Sequence, residues 1–328
     1  MAPSHQAQAS YALPALPPFT LANDGNACYI NVAVYSLWHV ASLTRSLSLL
    51  PVPLRSLHGQ GLRALRSLGF FMLGWREARR QHDVAEFLDH LLPKVLGHTG
   101  HEWSSRELLP EGVVHRLVGP LNQCLTLPAP SFPTPDLQEL VNRWHHQETM
   151  HALQSSPRWL FLQLPRFAVR SGRVRKNHQP FLMAGELMMP VFSSADSLDV
   201  AWCTYRICAY IRHHGTSPRS GHYTVVLSGS SQYLMNDDAD PKPVDEQISE
   251  DTSVSMYVLV MHLASDDDSS FSGDGDFRSS SSQALDTVNA HGGHTSTTPA
   301  DNEPAHLRLT TASSSVPAAA ISSASGIC

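Results

Sequence analysis

Two residues that lie far apart in the chain have the side chains needed for nucleophilic catalysis, Cys28 and His222. A cysteine attacks an amide carbonyl as a thiolate, so it needs a neighbouring base or a positive electrostatic environment. Helical periodicity after Cys28 places it in the first turn of a helix, where the macrodipole favours negative charge. The preceding turn, NDGNA, contains Asn23 and Asn26, whose amides can donate to a developing oxyanion. Because an isolated cysteine is more often a small buried apolar residue, Cys28 alone does not identify a nucleophile.

The context of His222 favours a catalytic base. His222 directly follows a glycine and begins a strongly alternating strand, HYTVVL, which would fix the orientation of its ring. A short turn later, Asn236 and Asp237 can reach back across the hairpin to the imidazole, as the third member of a catalytic triad does. The chain has 19 histidines, and His213 and His214 on the opposite strand compete for the same role.

Helical patterns dominate the first half of the chain and must position the cysteine. Apolar residues recur at helical spacing after Cys28, and again in DVAEFLDHLL, where Pro93 should end or kink the helix. A third helix is predicted from Leu137 to Trp144, entered through the start signal TPD.

Strand patterns dominate the second half and must position the histidine. The runs RWLFLQL, TYRICAYIR, HYTVVL and MYVLVMHL are β-branched or aromatic and are separated by turn residues. The predicted fold is therefore α+β, with a helical lobe packed on an antiparallel β-sheet lobe. Cys28 belongs to the first lobe and His222 to the second, so the active site is expected in the cleft between them.

The composition is that of an ordinary soluble enzyme. The chain has 328 residues, 42% of them hydrophobic and 16% charged, which is enough for a sizeable core. A formal net charge of −6 argues against a general nucleic-acid or anionic-membrane binder. No apolar run approaches the roughly 18 residues needed to span a bilayer, and the first residues lack a secretory pattern. An intracellular location, cytoplasmic or nuclear, is expected, and the five widely spread cysteines are expected to be free thiols.

Three regions are predicted along the chain. Residues 1–19 are rich in Pro and Ala without periodicity and should form a flexible segment. Residues 20–265 form the folded domain. Residues 266–328 consist mainly of Asp, Ser, Gly, Thr and Ala, which bury too little apolar surface to offset the entropy of ordering them. A disordered acidic tail is therefore expected.

Five segments together resemble the ubiquitin-specific proteases. NDGNACYIN resembles that family's cysteine box and HHGTSPRSGHYTVVL its histidine box, while QHDVAEFLDHLL resembles the acidic block that lies between them. WLFLQLPRF is similar to the strand before the histidine box, and MYVLVMHL to the closing strand. One short motif would be weak, but these five occur in the family's order across residues 20–265. The resemblance implies a papain-like cysteine protease that removes ubiquitin, or a ubiquitin-like protein, from its conjugates.

The resemblance also implies roles for individual residues. Cys28 matches the nucleophile, His222 the base, and Asn23 the side-chain amide that stabilises the oxyanion. Asn236 matches the residue that orients the histidine, and Asp237 the acidic residue after it. Which of these two is the main orienter of His222 stays open. The implied chemistry uses no cofactor.

Four further residues match positions that contact the substrate: Asp83, Glu86, Gly221 and Tyr223. Asp83 and Glu86 match acidic residues that grip the modifier's basic C-terminal tail, but they also have the spacing of a capping box. For Asp83 and Glu86, helix capping and substrate contact have equal weight, and one residue can do both. Gly25 and the segment from Gly221 to Tyr223 match a narrow channel that admits only glycine beside the scissile bond.

The chain departs from the family in its middle. Many members carry two Cys-x-x-Cys pairs that bind zinc in a finger-like insertion, and this sequence has no such pair. The stretch between Cys124 and Trp159 is also short for the family. His145, His146 and His151 match no standard zinc spacing and are expected on a solvated helix face, so no metal site is predicted. The missing fingers leave two alternatives open: a protease for another ubiquitin-like modifier, and a catalytically weak ubiquitin-binding scaffold.

A basic run surrounds one glycine in the second half of the chain, and its members are Arg166, Arg170, Arg173, Arg175 and Lys176. A solvated hairpin turn is the simpler interpretation, because exposed charge clusters of this size are common. Docking of an acidic partner is the alternative, with the acidic start of the tail, Asp266–Asp268, as a further candidate.

Overall fold

The computed structural model describes residues 16–23, 25–55, 57, 74–75, 80–96, 103–118, 124–130, 135–218 and 220–264. The predicted tail, residues 266–328, and most of the predicted N-terminal segment lie outside these ranges. Phe19, at the end of that segment, is buried and stacks on Tyr35 with ring centroids 5.8 Å apart. No helix formed by the described residues is long and apolar enough to cross a membrane.

The described residues form five α-helices and one short 3₁₀ turn. The helices are α1 (Cys28–Leu43), α2 (Val52–Arg55), α3 (Val84–Leu96), α4 (Leu137–His145) and α5 (Glu246–Ser255), and the 3₁₀ turn is Leu47–Leu49. The three helices predicted from periodicity are confirmed. However, α3 continues through Pro93 for three more residues. Proline removes only one backbone hydrogen bond near this helix end, and Leu91, Leu92 and Val95 hold the last turn in the core.

Thirteen strands are formed by the described residues. They are β1 (Trp103–Leu108), β2 (Val114–Val118), β3 (Cys124–Thr126), β4 (Met150–Leu153), β5 (Trp159–Gln163), β6 (Phe167–Arg170), β7 (Arg173–Lys176), β8 (Glu186–Phe192), β9 (Val200–Ser217), β10 (Ser220–Ser228), β11 (Gln232–Met235), β12 (Lys242–Pro243) and β13 (Met256–Leu263). The four strand-like runs of the sequence lie in β5, β9, β10 and β13, which confirms them.

Eleven of these strands make one sheet in the order β12-β11-β10-β9-β8-β4-β1-β2, with β13 joining β9 to β5 and β5 pairing with β3. The strand β9 is 18 residues long and pairs with β8, β10 and β13, so it connects all parts of the sheet. Most pairs are antiparallel as predicted, but β3 pairs with β5 and β4 with β8 in parallel. The remaining two strands, β6 and β7, form a separate hairpin.

The helix α1 packs against the sheet and positions its first residue beside β10. Its sequence is apolar on almost every side, and every residue from Cys28 to Ala41 is buried. A helix that is apolar all round is stable only inside a core, so α1 lies between α3 and strands β9, β10 and β13. A helical lobe packed on a mixed sheet is the α+β, papain-like architecture that the sequence predicted.

In the region where the family's zinc-bearing fingers would lie, aromatic and cationic side chains pack the strands and α4 together. Trp103 and Trp144 pack edge to face at 6.0 Å, and His151 lies 5.0 Å from the ring of Trp103. His145 is buried, and its Nδ1 lies 2.6 Å from the carbonyl oxygen of His151. The expectation that these histidines occupy a solvated helix face was therefore wrong for His145, because the helix turns that residue toward the sheet.

The strands of this stretch are also fastened by Arg106. Its guanidinium is buried, donates to the carbonyl oxygens of Ser194 and Ser197, and lies 3.6 Å above the ring of Phe192. Within the described ranges, no group of three His, Cys, Asp or Glu side chains is arranged to hold a metal ion. Side-chain packing and the Arg106 contacts connect these strands.

Candidate active site

The turn before α1 places Cys28 at a helix start. Gly25 and Asn26 adopt left-handed conformations, with φ of 70° and 62°. The side-chain oxygen of Asn23 accepts a hydrogen bond of 2.7 Å from the backbone N–H of Ala27, which closes the turn. Ala27 supplies no side-chain cap, so the positive end of the helix dipole is directed toward the Cys28 region without a neutralising group. Cys28 itself is almost fully buried, with 2% of its surface exposed.

The imidazole of His222 lies between Cys28 and Asn236. Its Nε2 donates a 2.6 Å hydrogen bond to the side-chain oxygen of Asn236. Interaction with the Cys28 side chain is the largest of the effects that together raise the pKa of His222 to about 9. The bond with Asn236 and the charges of Cys28 and Asp237 act in the same direction, while burial opposes them.

The two competing histidines have the opposite electrostatics. Burial lowers the pKa of His213 to about 3, with a further effect from the neighbouring Lys176 charge. Burial also lowers the pKa of His214 to about 4, reinforced by Arg212 and Lys176. Both side chains are therefore neutral near pH 7. Of the three histidines on this hairpin, only His222 has a pKa that Cys28 raises, and only His222 is favoured in its protonated form.

Asp237 connects the histidine hairpin to the cysteine turn. Its two carboxylate oxygens accept hydrogen bonds from the side-chain amides of Asn23, at 3.1 Å, and Asn31, at 2.7 Å. Its backbone carbonyl accepts a 2.7 Å bond from the hydroxyl of Tyr35. Its Oδ2 also lies 3.7 Å from Nε2 of His222. Burial raises the pKa of Asp237 although these donors oppose the change. Asp237 thus fixes the orientation of the Asn23 amide as well as standing beside the histidine.

Three residues with positioning contacts were not found from the sequence: Asn31, Tyr35 and Gln81. Asn31 and Tyr35 both lie on α1 and bind Asp237, and Tyr35 also accepts from the backbone N–H of Leu21. A polar Asn on an otherwise apolar helix was the available signal, because a buried amide needs a partner. Gln81 accepts a 3.1 Å bond from the backbone N–H of Gly221, a contact that no local pattern indicates.

The acidic block begins α3 with Asp83 as its cap. Asp83 is buried, accepts a 2.7 Å bond from the backbone N–H of Ala85, and accepts a 2.5 Å bond from the hydroxyl of Tyr257. Burial raises its pKa. Glu86 is exposed on the same helix. Asp83 therefore has the capping role, while contact between either residue and a substrate stays a prediction.

Tyr223 has a buried side chain that organises the loop before His222. Its hydroxyl donates to the carbonyl oxygen of Pro218 at 3.1 Å. Its ring packs 4.7 Å from that of His213. These contacts connect the turn after β9 with β10. The channel-lining role that the resemblance implies for Tyr223 stays a prediction.

Two glycines allow the β9–β10 hairpin to close. Gly215 and Gly221 have φ of 146° and 134°, and their Cα atoms face each other across the strands. A Cβ at Gly215 would lie 2.5 Å from the carbonyl oxygen of Ser220, and one at Gly221 would overlap the carbonyl oxygen of His214. Only glycine fits this close approach without moving the backbone that carries His222.

Gly221→Ala is expected to reduce any turnover that depends on His222 by about 100-fold or more, because the backbone beside its imidazole must shift and misplaced groups lose rate steeply. Steady-state kinetics on the purified variant measure the loss. Gly185→Ala is the matched control, since a Cβ there meets nothing within 4 Å. Equal activity of the two variants would show that the hairpin tolerates the shift.

One protein family and several solved structures are similar to this chain. The family described as "Ubiquitin carboxyl-terminal hydrolase" matches residues 70–261, which include the acidic block and His222 but begin after the cysteine turn. A search of curated protein sequences found no significant match.

Three solved structures with a similar fold illustrate the likeness. The Ubp8–Sgf11–Sgf73–Sus1 SAGA DUB module has a TM-score of 0.56 and 16% identity, covering 75% of this chain and 67% of that chain. The same module bound to ubiquitin aldehyde has a TM-score of 0.56 and 17% identity, with coverages of 75% and 69%. A yeast SAGA DUB module with an Sgf73 mutant has a TM-score of 0.53 and 17% identity, covering 75% of this chain and 68% of that chain. At this identity the likeness shows the fold, and the family profile spans more than half of the chain. The chain belongs to the ubiquitin carboxyl-terminal hydrolase family, among the ubiquitin-specific proteases that its motifs resemble.

Proposed function

We propose that this protein is a thiol-dependent deubiquitinase that hydrolyses the isopeptide or peptide bond after the C-terminal glycine of ubiquitin. The observation that carries the proposal is the position of the His222 imidazole, which donates a hydrogen bond to Asn236 and whose pKa is raised chiefly by the neighbouring Cys28 side chain. A thiol, a base and an orienting amide in line are the requirements of covalent acyl transfer. The solved structures with this fold include one bound to ubiquitin aldehyde.

In the first half of the reaction, the sulfur of Cys28 attacks the carbonyl carbon of the terminal glycine. The protonated imidazole of His222 stabilises the negative sulfur before attack and gives its proton to the departing amine, typically that of a lysine side chain. The C–N bond breaks and a thioester forms. We expect the oxyanion to form near the side-chain amide of Asn23, which donates a hydrogen bond to Asp237.

In the second half, water replaces the amine. The neutral imidazole takes a proton from water, the resulting hydroxide attacks the thioester carbonyl, and the sulfur leaves as the thiolate. Asn236 keeps Nε2 protonated through its acceptor oxygen, so the other ring nitrogen is the one that exchanges the proton. Cys28 and His222 then return to their starting state.

Selection of a glycine-rich tail is proposed to occur beside the β9–β10 hairpin. The Gly215 and Gly221 pair brings two backbones into contact next to His222, and the family resemblance implies that this segment lines the channel for the tail. Exposed Glu86 offers a negative charge to a basic tail, whereas Asp83 is engaged by Tyr257 and reaches a ligand only if that hydroxyl moves.

Probes that carry a thiol-reactive group at the C-terminus of ubiquitin test this function. We expect a covalent adduct of the purified protein with the ubiquitin probe and no adduct with Cys28→Ala. Parallel probes on other ubiquitin-like proteins address the alternative raised by the missing zinc pairs. Labelling by such a probe but not by ubiquitin would reassign the modifier. Ubiquitin binding without labelling would support the scaffold alternative.

The pH dependence of turnover is expected to show a descending limb near the pKa of His222, about 9. The folded protein raises this pKa above the ordinary value of 6.5, so it favours the imidazolium. The charged form therefore predominates at neutral pH and is lost as the pH rises through about 9. Asn236→Ala removes one of the causes of the elevation and should move the limb to lower pH. Rates measured between pH 6 and pH 10 test this, and an unchanged limb in the variant would contradict it.

A further inference from the structure

The hairpin formed by β6 and β7 is a rigid element rather than a loose loop. Its two central residues, Ser171 and Gly172, have φ of 50° and 72°, the signs of a two-residue turn that matches the twist of a hairpin. The register pairs Phe167 with Lys176 and Arg170 with Arg173. Since side chains alternate along a strand, Arg173 and Arg175 lie on the face opposite Phe167 and Lys176.

The face that carries Phe167 is fastened to the catalytic sheet. The ring of Phe167 lies 5.2 Å from His213 and 5.5 Å from Tyr257. The ammonium of Lys176 donates a 2.5 Å bond to the carbonyl oxygen of His213. At the base, the fully buried Arg166 donates 2.8 Å bonds to the carbonyl oxygens of Met256 and Ser253. The opposite face is therefore held outward.

The outward face is cationic and has no compensating acid nearby in sequence. Residues 166–180, RFAVRSGRVRKNHQP, contain five Arg or Lys and no Asp or Glu. Arg173 and Arg175 are exposed, and neither makes an ion pair or hydrogen bond with another described residue.

The hairpin lies close to the reacting atoms. Lys176 binds the carbonyl of His213, and the next residue, His214, is the strand partner of His222. With strands roughly 4.8 Å apart and about 3.3 Å per residue along a strand, Arg173 and Arg175 lie about 10–20 Å from the imidazole. An extended peptide covers that distance in about three to six residues.

We propose that Arg173 and Arg175 dock an acidic segment of the protein that carries the modifier, about three to six residues from the modified lysine. This inference rests on the proposed deubiquitinase function and adds a preference among its protein substrates. The modifier itself is a poor occupant, because the tail that the family resemblance implies is basic and would be repelled.

Asp266–Asp268, the other acidic candidate for this face, lie outside the residues that the structure describes.

Three substrates test the preference, each with ubiquitin joined through an isopeptide bond to the lysine of a short peptide. The peptides carry glutamate, glutamine or lysine at the positions three to six residues from that lysine. We expect kcat/KM of the glutamate substrate to exceed that of the glutamine substrate about fivefold at low salt, and the lysine substrate to be the slowest. The preference should shrink as salt is added, because exposed charges are screened.

The double variant R173Q/R175Q should lose this preference while cleaving a small fluorogenic ubiquitin substrate at the wild-type rate. The matched control is R55Q/R116Q, which removes two exposed arginines from α2 and β2, outside the hairpin and the catalytic residues. It should keep the preference. An equal preference in R173Q/R175Q, or none in the wild type, would overturn the docking role.

A binding measurement separates this inference from the proposed function. Fluorescence anisotropy of the free glutamate peptide should show weaker binding to R173Q/R175Q than to wild type or R55Q/R116Q. If that binding difference were found but wild type did not cleave the fluorogenic substrate, the proposed function would be wrong and the docking role of the two arginines would stand. Binding of an oligonucleotide at this face in place of the acidic peptide would overturn the protein-segment assignment.

Discussion

Cys28→Ala and His222→Ala are each expected to reduce turnover of a fluorogenic ubiquitin substrate by about 10⁴-fold or more. In the proposed mechanism, Cys28→Ala removes the atom that forms the thioester. His222→Ala removes the group proposed to stabilise the thiolate and to protonate the leaving amine. Because both act in the same covalent step, the double variant should be no worse than either single variant, and the measurement is kcat from steady-state kinetics.

Matched controls make this result specific. Cys203→Ala changes a free, partly exposed cysteine on β9, and His178→Ala changes an exposed histidine after β7. Both should retain wild-type activity. Wild-type turnover by Cys28→Ala would show that another residue is the nucleophile. Retained activity in His222→Ala would return His214 to consideration as the base, despite its lowered pKa.

The second large effect concerns Asn236 and Asp237, which both lie beside His222. The sequence left open which of them is its main orienter. Asp237→Ala is expected to lower kcat by about 100- to 1000-fold, the range for loss of an oxyanion donor, because the amide of Asn23 loses its anchor. Asn236→Ala should lower kcat by only about 10- to 100-fold. Asp237 Oδ2 is 3.7 Å from Nε2 of His222 and can replace the missing acceptor after a small movement.

The variant Asp237→Asn tests the reason for that order. Asparagine tolerates the left-handed φ of 48° at this position, but its one acceptor oxygen cannot serve both Asn23 and Asn31. Its kcat should lie between those of wild type and Asp237→Ala. Thermal unfolding should show that Asp237→Ala also loses stability, since two amides then lack their partner. A larger loss in Asn236→Ala than in Asp237→Ala would make Asn236 the main orienter.

The helices and strands that carry these residues followed from local patterns. Apolar spacing placed α1 directly after Cys28, and alternation placed a strand directly after Gly221, and both are present. These predictions succeeded because helix and strand periodicities are properties of a short stretch of chain. The expectation for Pro93 was too strict, because packing of the last turn of α3 outweighs one lost hydrogen bond.

The family was also evident from the sequence, since five short segments in a fixed order are specific where each one is weak. The histidines near the missing zinc pairs illustrate the limit of such matching. His145 was expected on a solvated face and is buried against His151. Hydrophobic spacing did not reveal this, because histidine packs as an aromatic ring when its nitrogens find backbone partners.

The sequence by itself determined the nucleophile and base candidates, the α+β class and the family, because each depends on residue type and short-range spacing. Only the tertiary structure decided which histidine faces Cys28, since His213, His214 and His222 occupy one hairpin and differ in burial and partners. The contact between Asp237 and Asn23, 214 residues apart, likewise exists only when β10 and β11 pack on α1. Hydrogen bonds that close such long loops are fixed by the packing of whole elements, and no local pattern encodes them.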